Sequence, residues 1–383
     1  MRNLFRIIND KRALISLAVF SFLISFDPDW SSKGLILLTI VSTTRIDLQK
    51  KYLQNRYVFV LLVTLIYIAI NTTLYKNYSA LSSYTVPALC ILFFLIFSQT
   101  KTSINLKRIT FFFTFGIFVV GGLNLIVFFT DPTININFIN AWNATTIFDI
   151  HKTYYASLLN ISFLLLLYFY VENRITSKIV LILSPFFLVL LVFTGSVVNA
   201  CILILLILLF LSYKYLPTLY GYIFFFFLGA QLLVLLALSN PLGNQFLDIL
   251  DGDLSRVRNF QVNSLVVNQA PFFGHGIGNE LEIVQSYRNN NSWEYINKYN
   301  AHNQFFQYVL GGGFIYLLLC IFPFIYINIK NRVFNRNLFA NGLTLIFCYI
   351  FMIESFQERH HGQIIFSFFI TLIAYKINLE KHK

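Results

Sequence analysis

The sequence has few charged residues. Of its 383 residues, 11% are Asp, Glu, Lys or Arg, while 57% are hydrophobic. Soluble globular domains carry about 25% charged residues, so this composition excludes an ordinary soluble protein. The apolar residues occur in runs that are long enough to cross a hydrocarbon core of roughly 30 Å. The sequence therefore predicts an all-α polytopic integral membrane protein, with 1–383 as a single membrane domain.

Cysteine is scarce as well. The four cysteines all lie inside apolar segments and form no CxxC pair: Cys90, Cys201, Cys320 and Cys348. Disulfide frameworks and zinc sites have characteristic cysteine spacings, and none is present in this sequence. The sequence predicts four small buried hydrophobic side chains instead.

The apolar runs predict about twelve transmembrane helices. They lie at about 13–27, 33–46, 57–74, 80–99, 109–129, 153–171, 179–194, 197–213, 216–238, 302–328, 339–356 and 362–378. If the amino terminus is cytoplasmic, 20 of the 28 Lys and Arg residues fall on the cytoplasmic side. This bias follows the positive-inside rule and predicts that both termini are cytoplasmic. The net charge of +12 is then a topology signal, not a sign of nucleic-acid binding.

One external loop is much longer than the others. It covers 239–301, between the ninth and tenth predicted spans, and long loops in compact proteins are usually functional. Five of the six histidines also fall on the external side: His151, His275, His302, His360 and His361. The spans contain almost no ionisable residues, with Glu354 as the main exception. Because transport pathways usually need such residues inside the membrane, the sequence favours chemistry at the external boundary over a transporter.

The stretch NAHNQFFQYVLGGG lies where this loop meets the tenth span. A neutral imidazole accepts protons near pH 7, so His302 is a candidate general base. Asn303 and Gln304 can orient the imidazole or bind hydroxyl groups. The glycines at 311–313 allow another helix or a lipid chain to approach closely. An interfacial histidine beside packing glycines is an equal alternative on these residues alone.

Other polar residues on the external side can complete a site. Arg256 and Arg258, in LSRVRNF, can bind phosphate oxygens or a lipid headgroup. Glu354, Glu358 and Arg359, in ESFQERHHG, can form a network that positions a substrate or the candidate base. The sequence thus places cations and carboxylates on the same side of the membrane as the histidine.

Three further features concern the same side. Lys152, in IHKTYY at the start of the sixth span, is another candidate for positioning a substrate. The segment PFFGHGIGN at 271–279 predicts a tight turn, because it lacks the lysine and the strand–turn–helix context of a phosphate loop. Adjacent histidines seldom bind one ion, so His360 and His361 do not predict a metal site.

His302, Asn303, Gly313 and Tyr316 follow the spacing of a known signature. In this spacing HNQFFQYVLGGGFIY resembles the O-antigen ligase superfamily, which includes O-antigen and exopolysaccharide polymerases, over about 190–370. The resemblance implies a metal-independent glycosyltransferase without a cofactor, at the periplasmic face of the bacterial inner membrane. It would transfer a glycan from undecaprenyl diphosphate to an acceptor hydroxyl. His302 would be the base, and Arg256 would bind the donor diphosphate.

The resemblance leaves the acceptor open. A ligase transfers the glycan to lipid A–core, whereas a polymerase transfers it to another lipid-linked repeat unit. A flippase for the same lipid-linked glycan and a non-catalytic membrane scaffold are the alternatives outside this enzyme class. Other polysaccharide-assembly membrane proteins are expected partners.

One position departs from the superfamily pattern. Members commonly have an arginine after a Thr/Ser-Gly-Ser step, where FTGSVVNA has Val197 and Val198. A second phosphate-binding arginine is therefore missing at this point. Arg258 or Lys152 is expected to compensate, with Arg258 as a further ligand of the donor diphosphate.

Overall fold

The computed structural model describes residues 2–43, 55–99, 106–131, 138, 141–238, 254–331 and 337–380. All regular structure in these ranges is helical, and they contain no strand. The α-helices are α1 (Arg2–Leu23), α2 (Pro28–Thr43), α3 (Arg56–Leu74), α4 (Thr85–Gln99), α5 (Leu106–Thr130), α6 (Trp142–Thr145), α7 (Lys152–Val171), α8 (Ser177–Thr194), α9 (Val197–Tyr215), α10 (Tyr220–Leu238), α11 (Leu254–Gln269), α12 (Glu280–Ser286), α13 (Trp293–Ile296), α14 (Gln304–Asn331), α15 (Leu338–Ile353) and α16 (His360–Glu380). Two 3₁₀ segments cover Tyr78–Tyr84 and Phe356–Glu358.

Seven helical segments of the described chain are long and apolar enough to cross a membrane. They are Arg56–Leu74, Ala80–Ser98, Leu106–Thr130, Lys152–Val171, Ser177–Thr194, Val197–Tyr215 and Gln304–Ile329. Three shorter apolar helices cover Leu14–Leu23, Tyr220–Ala230 and Leu338–Ile353. The expected helical, membrane-embedded protein is therefore confirmed, whereas the count of twelve spans and the orientation stay predictions.

The chain forms two compact units. The first comprises Met1–Gln49, Phe93–Gly221 and Val333–Ile346, and the second comprises Lys50–Leu92, Tyr222–Arg332 and Phe347–Lys383. Each unit contains segments that are far apart in the sequence. Each therefore has its own packing.

In the first unit, α7 is the central helix and packs against α5, α8 and α9. Its side chains are almost all buried, and several polar ones form hydrogen bonds with the neighbouring helices. Asn160 Nδ2 donates to Asn199 Oδ1 at 3.0 Å, and Asn199 Nδ2 donates to the Thr153 carbonyl at 3.3 Å. Buried amides that are paired in this way cost little and fix the register of neighbouring helices.

In the second unit, α14 is a broken helix. Gly313 has φ 69° and ψ −171°, a conformation that is essentially restricted to glycine. At this point an unbroken helix would join the Phe314 N–H to the Leu310 carbonyl. Here the Phe314 N–H donates to the Pro271 carbonyl at 2.8 Å, and the Leu310 carbonyl accepts from the His275 N–H at 2.8 Å. The loop after α11 thus provides a new hydrogen-bond partner for each of the two backbone groups that the helical bond would have joined.

The loop at 271–278 is held tightly against the break. Gly274, Gly276 and Gly278 have positive φ angles, which confirms the predicted turn. A Cβ at Gly274 would lie 2.5 Å from the Gly311 carbonyl oxygen, so the two backbones are in direct contact. The glycines at 311–313 were expected to let another helix or a lipid chain approach closely. The loop at 271–278 approaches them instead, because its backbone groups form hydrogen bonds with those of the opened helix.

Helix α3 holds the same loop from its other side. The Tyr75 hydroxyl donates to the Gly274 carbonyl at 2.9 Å, and Asn71 Oδ1 accepts from the Ile277 N–H at 2.8 Å. The Tyr67 hydroxyl donates to the Gly312 carbonyl at 2.6 Å. The loop, α3 and the break in α14 therefore form one hydrogen-bonded assembly.

A Gly313→Ala substitution should destabilise the protein by at least ~2 kcal/mol. The φ of 69° strains any L side chain, and the new Cβ would lie 2.1 Å from the Phe272 carbonyl oxygen. Gly122→Ala in α5 is the matched control, because a Cβ there meets nothing within 4 Å. Melting temperatures of the purified proteins in detergent should fall clearly for Gly313→Ala only. Equal melting temperatures for the two variants would contradict the role of the break.

Candidate functional site in the second unit

His302 is held in a constrained position just before α14. Its φ is 45°, in the left-handed region that few residues with a side chain adopt. The imidazole stacks on the Tyr299 ring, with centroids 3.9 Å apart and an interplanar angle of 21°. His302 Nδ1 lies 3.4 Å from Glu354 Oε2, while the backbone N–H donates to Asn300 Oδ1 at 3.0 Å. The ring is therefore packed on one face, and Nδ1 lies near the carboxylate without a hydrogen bond to it.

The two residues that follow His302 join α14 to the end of α15. Asn303 caps α14, since its Oδ1 accepts from the N–H groups of Phe305 and Phe306 at 2.9 and 3.0 Å. Asn303 Nδ2 donates to the Met352 carbonyl at 2.9 Å. Gln304 Oε1 accepts from the Gln357 N–H at 2.7 Å. These contacts hold the histidine in place, and a direct role of either amide in positioning a substrate stays a prediction.

A cavity of about 240 Å³ lies beside this segment. Its polar wall contains two carboxylates and four glutamines: Glu280, Gln304, Gln307, Gln357, Glu358 and Gln363. Its apolar wall includes Leu61, Val86, Pro87, Leu319, Pro323 and Phe366. Two hydrogen bonds connect the cavity to His302, because Asn300 donates its side-chain Nδ2 to Glu358 and accepts from the His302 N–H.

Burial shifts both carboxylic acids of the cavity toward the neutral form. Desolvation raises the pKa of Glu280 to about 7, against the opposing hydrogen bond from the Gly278 N–H. Desolvation also raises the pKa of Glu358 to about 7, although part of this side chain is exposed. The nearby Glu280 charge raises it further, while the Asn300 bond, His302 and Arg359 act in the opposite direction. Protons on this pair thus exchange near neutral pH.

The two candidate phosphate ligands lie on α11. Arg258 Nε donates to Glu294 Oε1 at 2.9 Å, and 55% of the Arg258 side chain is exposed while Glu294 is buried. The paired guanidinium group therefore still presents N–H donors to solvent. Arg256 belongs to the first turns of the same helix, and its side chain lies outside the described part of the structure.

Arg288 is a buried arginine that the sequence did not single out. Its guanidinium group donates to the Tyr299 carbonyl, to Asn259 Oδ1 and to the Glu294 carbonyl. Burial lowers its pKa. Arg288 thereby ties α11 and α13 to Tyr299, whose ring supports His302. No sequence pattern indicates this role, because two of its partners are backbone carbonyls and Asn259 lies 29 residues away in the sequence.

The remaining candidates lie around the turn between α15 and α16 and in the other unit. Glu354 follows α15, and Arg359 is exposed just before α16. Lys152 is the first residue of α7 in the first unit. The bond between Asn199 and the Thr153 carbonyl joins the first turn of α7 to that of α9. Lys152 and Val197 therefore begin neighbouring helices.

Metal ligands are not grouped in the described ranges. No set of three His, Cys, Asp or Glu side chains there is placed as metal ligands would be. His361 is buried at the start of α16, whereas its neighbour His360 is exposed. The expectation of a site that works without a metal or a cofactor stays a prediction.

Comparison with known proteins does not identify a family. No family model matches this chain, and no curated protein matches its sequence.

Protein stability should fall as the pH rises from about 4.5 to about 7. An unfolded Glu carboxyl titrates near its ordinary pKa of 4.5, whereas folded Glu280 keeps its proton up to about 7. Between these values the folded state binds more protons than the unfolded state, so a rise in pH favours unfolding. Melting temperatures measured from pH 4.5 to pH 8 should decrease across this window.

The Glu280→Gln variant tests the origin of this slope. It keeps the shape of the side chain without the titrating group, so its melting temperature should depend less on pH. Glu358 contributes the remaining slope, since its pKa is raised in the same direction. Glu282→Gln is the matched control, because Glu282 is exposed on the same helix. A wild-type slope in Glu280→Gln would contradict the assignment.

Proposed function

We propose that this protein is a multi-pass glycosyltransferase of the bacterial inner membrane. It transfers a glycan from undecaprenyl diphosphate to an acceptor hydroxyl at the periplasmic face, and lipid A–core is the acceptor, as in an O-antigen ligase. In this proposal about twelve spans cross the membrane with both termini in the cytoplasm. The observation that carries it is the fixed imidazole of His302, between Tyr299 and Glu354, where the external loop meets α14.

The geometry of His302 suits a general base. Glu354 occupies the Nδ1 side of the imidazole, which leaves Nε2 for the acceptor hydroxyl. As Nε2 takes the proton, the acceptor oxygen forms a bond to the anomeric carbon of the donor sugar. The bond between that carbon and the diphosphate oxygen breaks, and its electron pair leaves with undecaprenyl diphosphate. Glu354 stabilises the imidazolium ion that forms, as a carboxylate does for the histidine of hydrolase triads.

The leaving diphosphate needs positive charge. Arg256 and Arg258 supply it from one helix, because arginine stays charged and binds phosphate oxygens in a bidentate manner. Fixed cations stabilise the charge that develops on a leaving group without a metal ion. The polyprenyl chain lies against the apolar surfaces of the spans, so the donor lipid stays in the bilayer during transfer.

His302→Ala should lower transfer by at least ~100-fold without affecting membrane insertion. Glu354→Gln should lower it less, since the base remains while its supporting charge is lost. Transfer is measured with the purified protein in lipid nanodiscs, and insertion by the yield of folded protein. Full transfer by His302→Ala would overturn the role of His302 as the base, whereas absence of transfer by the wild-type protein would instead suit a flippase.

The same His302→Ala allele in cells separates the two transferases. Loss of a ligase leaves bare lipid A–core while polymer accumulates on the lipid carrier. Loss of a polymerase leaves core that carries a single repeat unit. The second pattern would assign the protein to the polymerases, which use the same chemistry with a lipid-linked acceptor.

The compensation for the missing arginine has its own test. Lys152 begins the helix next to the one that starts at Val197, so Lys152→Ala should lower transfer by roughly 10-fold or more through loss of a charge contact to the donor. Arg258→Ala should have a similar effect if this residue binds the diphosphate. Lys178→Ala is the control, because Lys178 is exposed at the start of α8. Normal transfer by both Lys152→Ala and Arg258→Ala would exclude compensation by these residues.

A further inference from the structure

The cavity in the second unit has a composition that does not suit a diphosphate. Among the described residues, its lining contains two carboxylic acids and four glutamines but no Lys, Arg or His. A diphosphate next to Glu280 and Glu358 would meet like charges whenever either acid is ionised, without a cation to compensate. Cationic side chains of the described loop, such as Arg258, Arg288 and Lys298, do not line this cavity. The cavity is therefore a site for a different part of a substrate.

One buried amide in the cavity lacks a hydrogen-bond partner among the residues that the structure describes. Gln357 is 7% exposed and lines the cavity, and its Nε2 makes no hydrogen bond. Its Oε1 is already used, since it accepts from the Tyr308 hydroxyl. A buried donor without an acceptor destabilises the protein, so an oxygen atom of a ligand would relieve this cost. The free N–H group disfavours a cation, because it presents a positive hydrogen atom.

The other polar groups of the cavity offer acceptors. Glu280 Oε1 accepts from the Gly278 N–H at 3.0 Å and packs against Gly311 at the break in α14. A carboxyl group has capacity for further hydrogen bonds. Apolar residues such as Leu319, Pro323 and Phe366 form the opposite wall. Donors, acceptors and an apolar wall together match a sugar ring, which has hydroxyl groups on its rim and C–H groups on its faces.

We propose that this cavity binds an uncharged sugar of the acceptor glycan. Gln357 Nε2 donates to a ring or acetamido oxygen of this sugar, and the carboxyl groups of Glu280 and Glu358 accept from its hydroxyl groups. The hydrogen bonds from Glu358 through Asn300 to His302 place the sugar beside the base. The designation as acceptor rests on the proposed function, whereas the binding of a neutral sugar does not.

Binding is measured directly by saturation-transfer NMR on the full chain in lipid nanodiscs. The probes are the methyl glycosides of glucose, galactose and N-acetylglucosamine, with methyl glucosaminide as a cationic probe and inorganic pyrophosphate as an anionic competitor. At least one neutral glycoside should bind in the millimolar range, and pyrophosphate should not displace it. Binding of none of them, or displacement by pyrophosphate, would overturn the proposal.

Variants locate the binding in the cavity. Gln357→Leu should weaken the glycoside by about 3- to 10-fold, because one hydrogen bond is lost. Glu280→Gln should change the affinity by less than about 3-fold, because it keeps an acceptor oxygen. Gln261→Leu, on the exposed side of α11, is the control and should have no effect. If Gln357→Leu does not fold, Gln357→Glu keeps the shape, replaces the donor by an acceptor and carries the same prediction.

The outcomes separate this inference from the proposed function. Unchanged glycoside affinity in Gln357→Leu and Gln357→Glu would overturn the cavity assignment, even if His302→Ala abolishes transfer. Binding of the cationic glycoside alone, lost in Glu280→Gln, would assign the cavity to a cation instead. Weakened glycoside binding in the Gln357 variants would support the sugar site even if no transfer is found.

Discussion

The exchange of hydrogen bonds at Gly313 is the constraint on which the second unit depends. Opening α14 releases the Leu310 carbonyl and the Phe314 N–H, and the loop at 271–275 binds both. An unpaired backbone group inside a membrane protein costs several kcal/mol, so the break requires this loop and the loop requires the break. The dependence extends to the candidate site. Glu280 packs on Gly311, and His302 lies just before the half-helix that ends at the break.

The site separates two kinds of chemistry. Guanidinium groups lie on α11 and within the loop that supports Tyr299, while carboxyl and amide groups line the cavity beside α14. The two carboxyl groups are close enough to influence each other, and burial keeps them near the balance between neutral and charged forms. Such a division suits a reaction with one anionic and one neutral substrate. The carboxyl groups disfavour the anionic substrate, and the guanidinium groups favour it over the neutral one.

The sequence predicted the class of the protein but only part of the site. Long apolar runs reveal membrane helices directly, because each helix satisfies its own backbone hydrogen bonds. His302, Glu354 and Glu358 were found from their polarity at predicted span ends, and the structure brings them together. Glu280 and Arg288 were not found, since their burial is created by contacts between distant segments. The close approach at the three glycines was predicted, but the predicted partner was wrong. No local sequence pattern indicates that the loop packs against α14.

The contact between the loop and the broken helix also limits how this sequence can change over generations. Most packing defects can be repaired by a second substitution in the neighbouring side chain. Gly274 and Gly313 contact each other's segments through backbone atoms, and both have φ of 69°. A substitution in a neighbouring residue cannot make space where the obstacle is a backbone atom. It also cannot relieve an unfavourable φ angle. Both positions should therefore change very little, while the side chains around the cavity can change more freely.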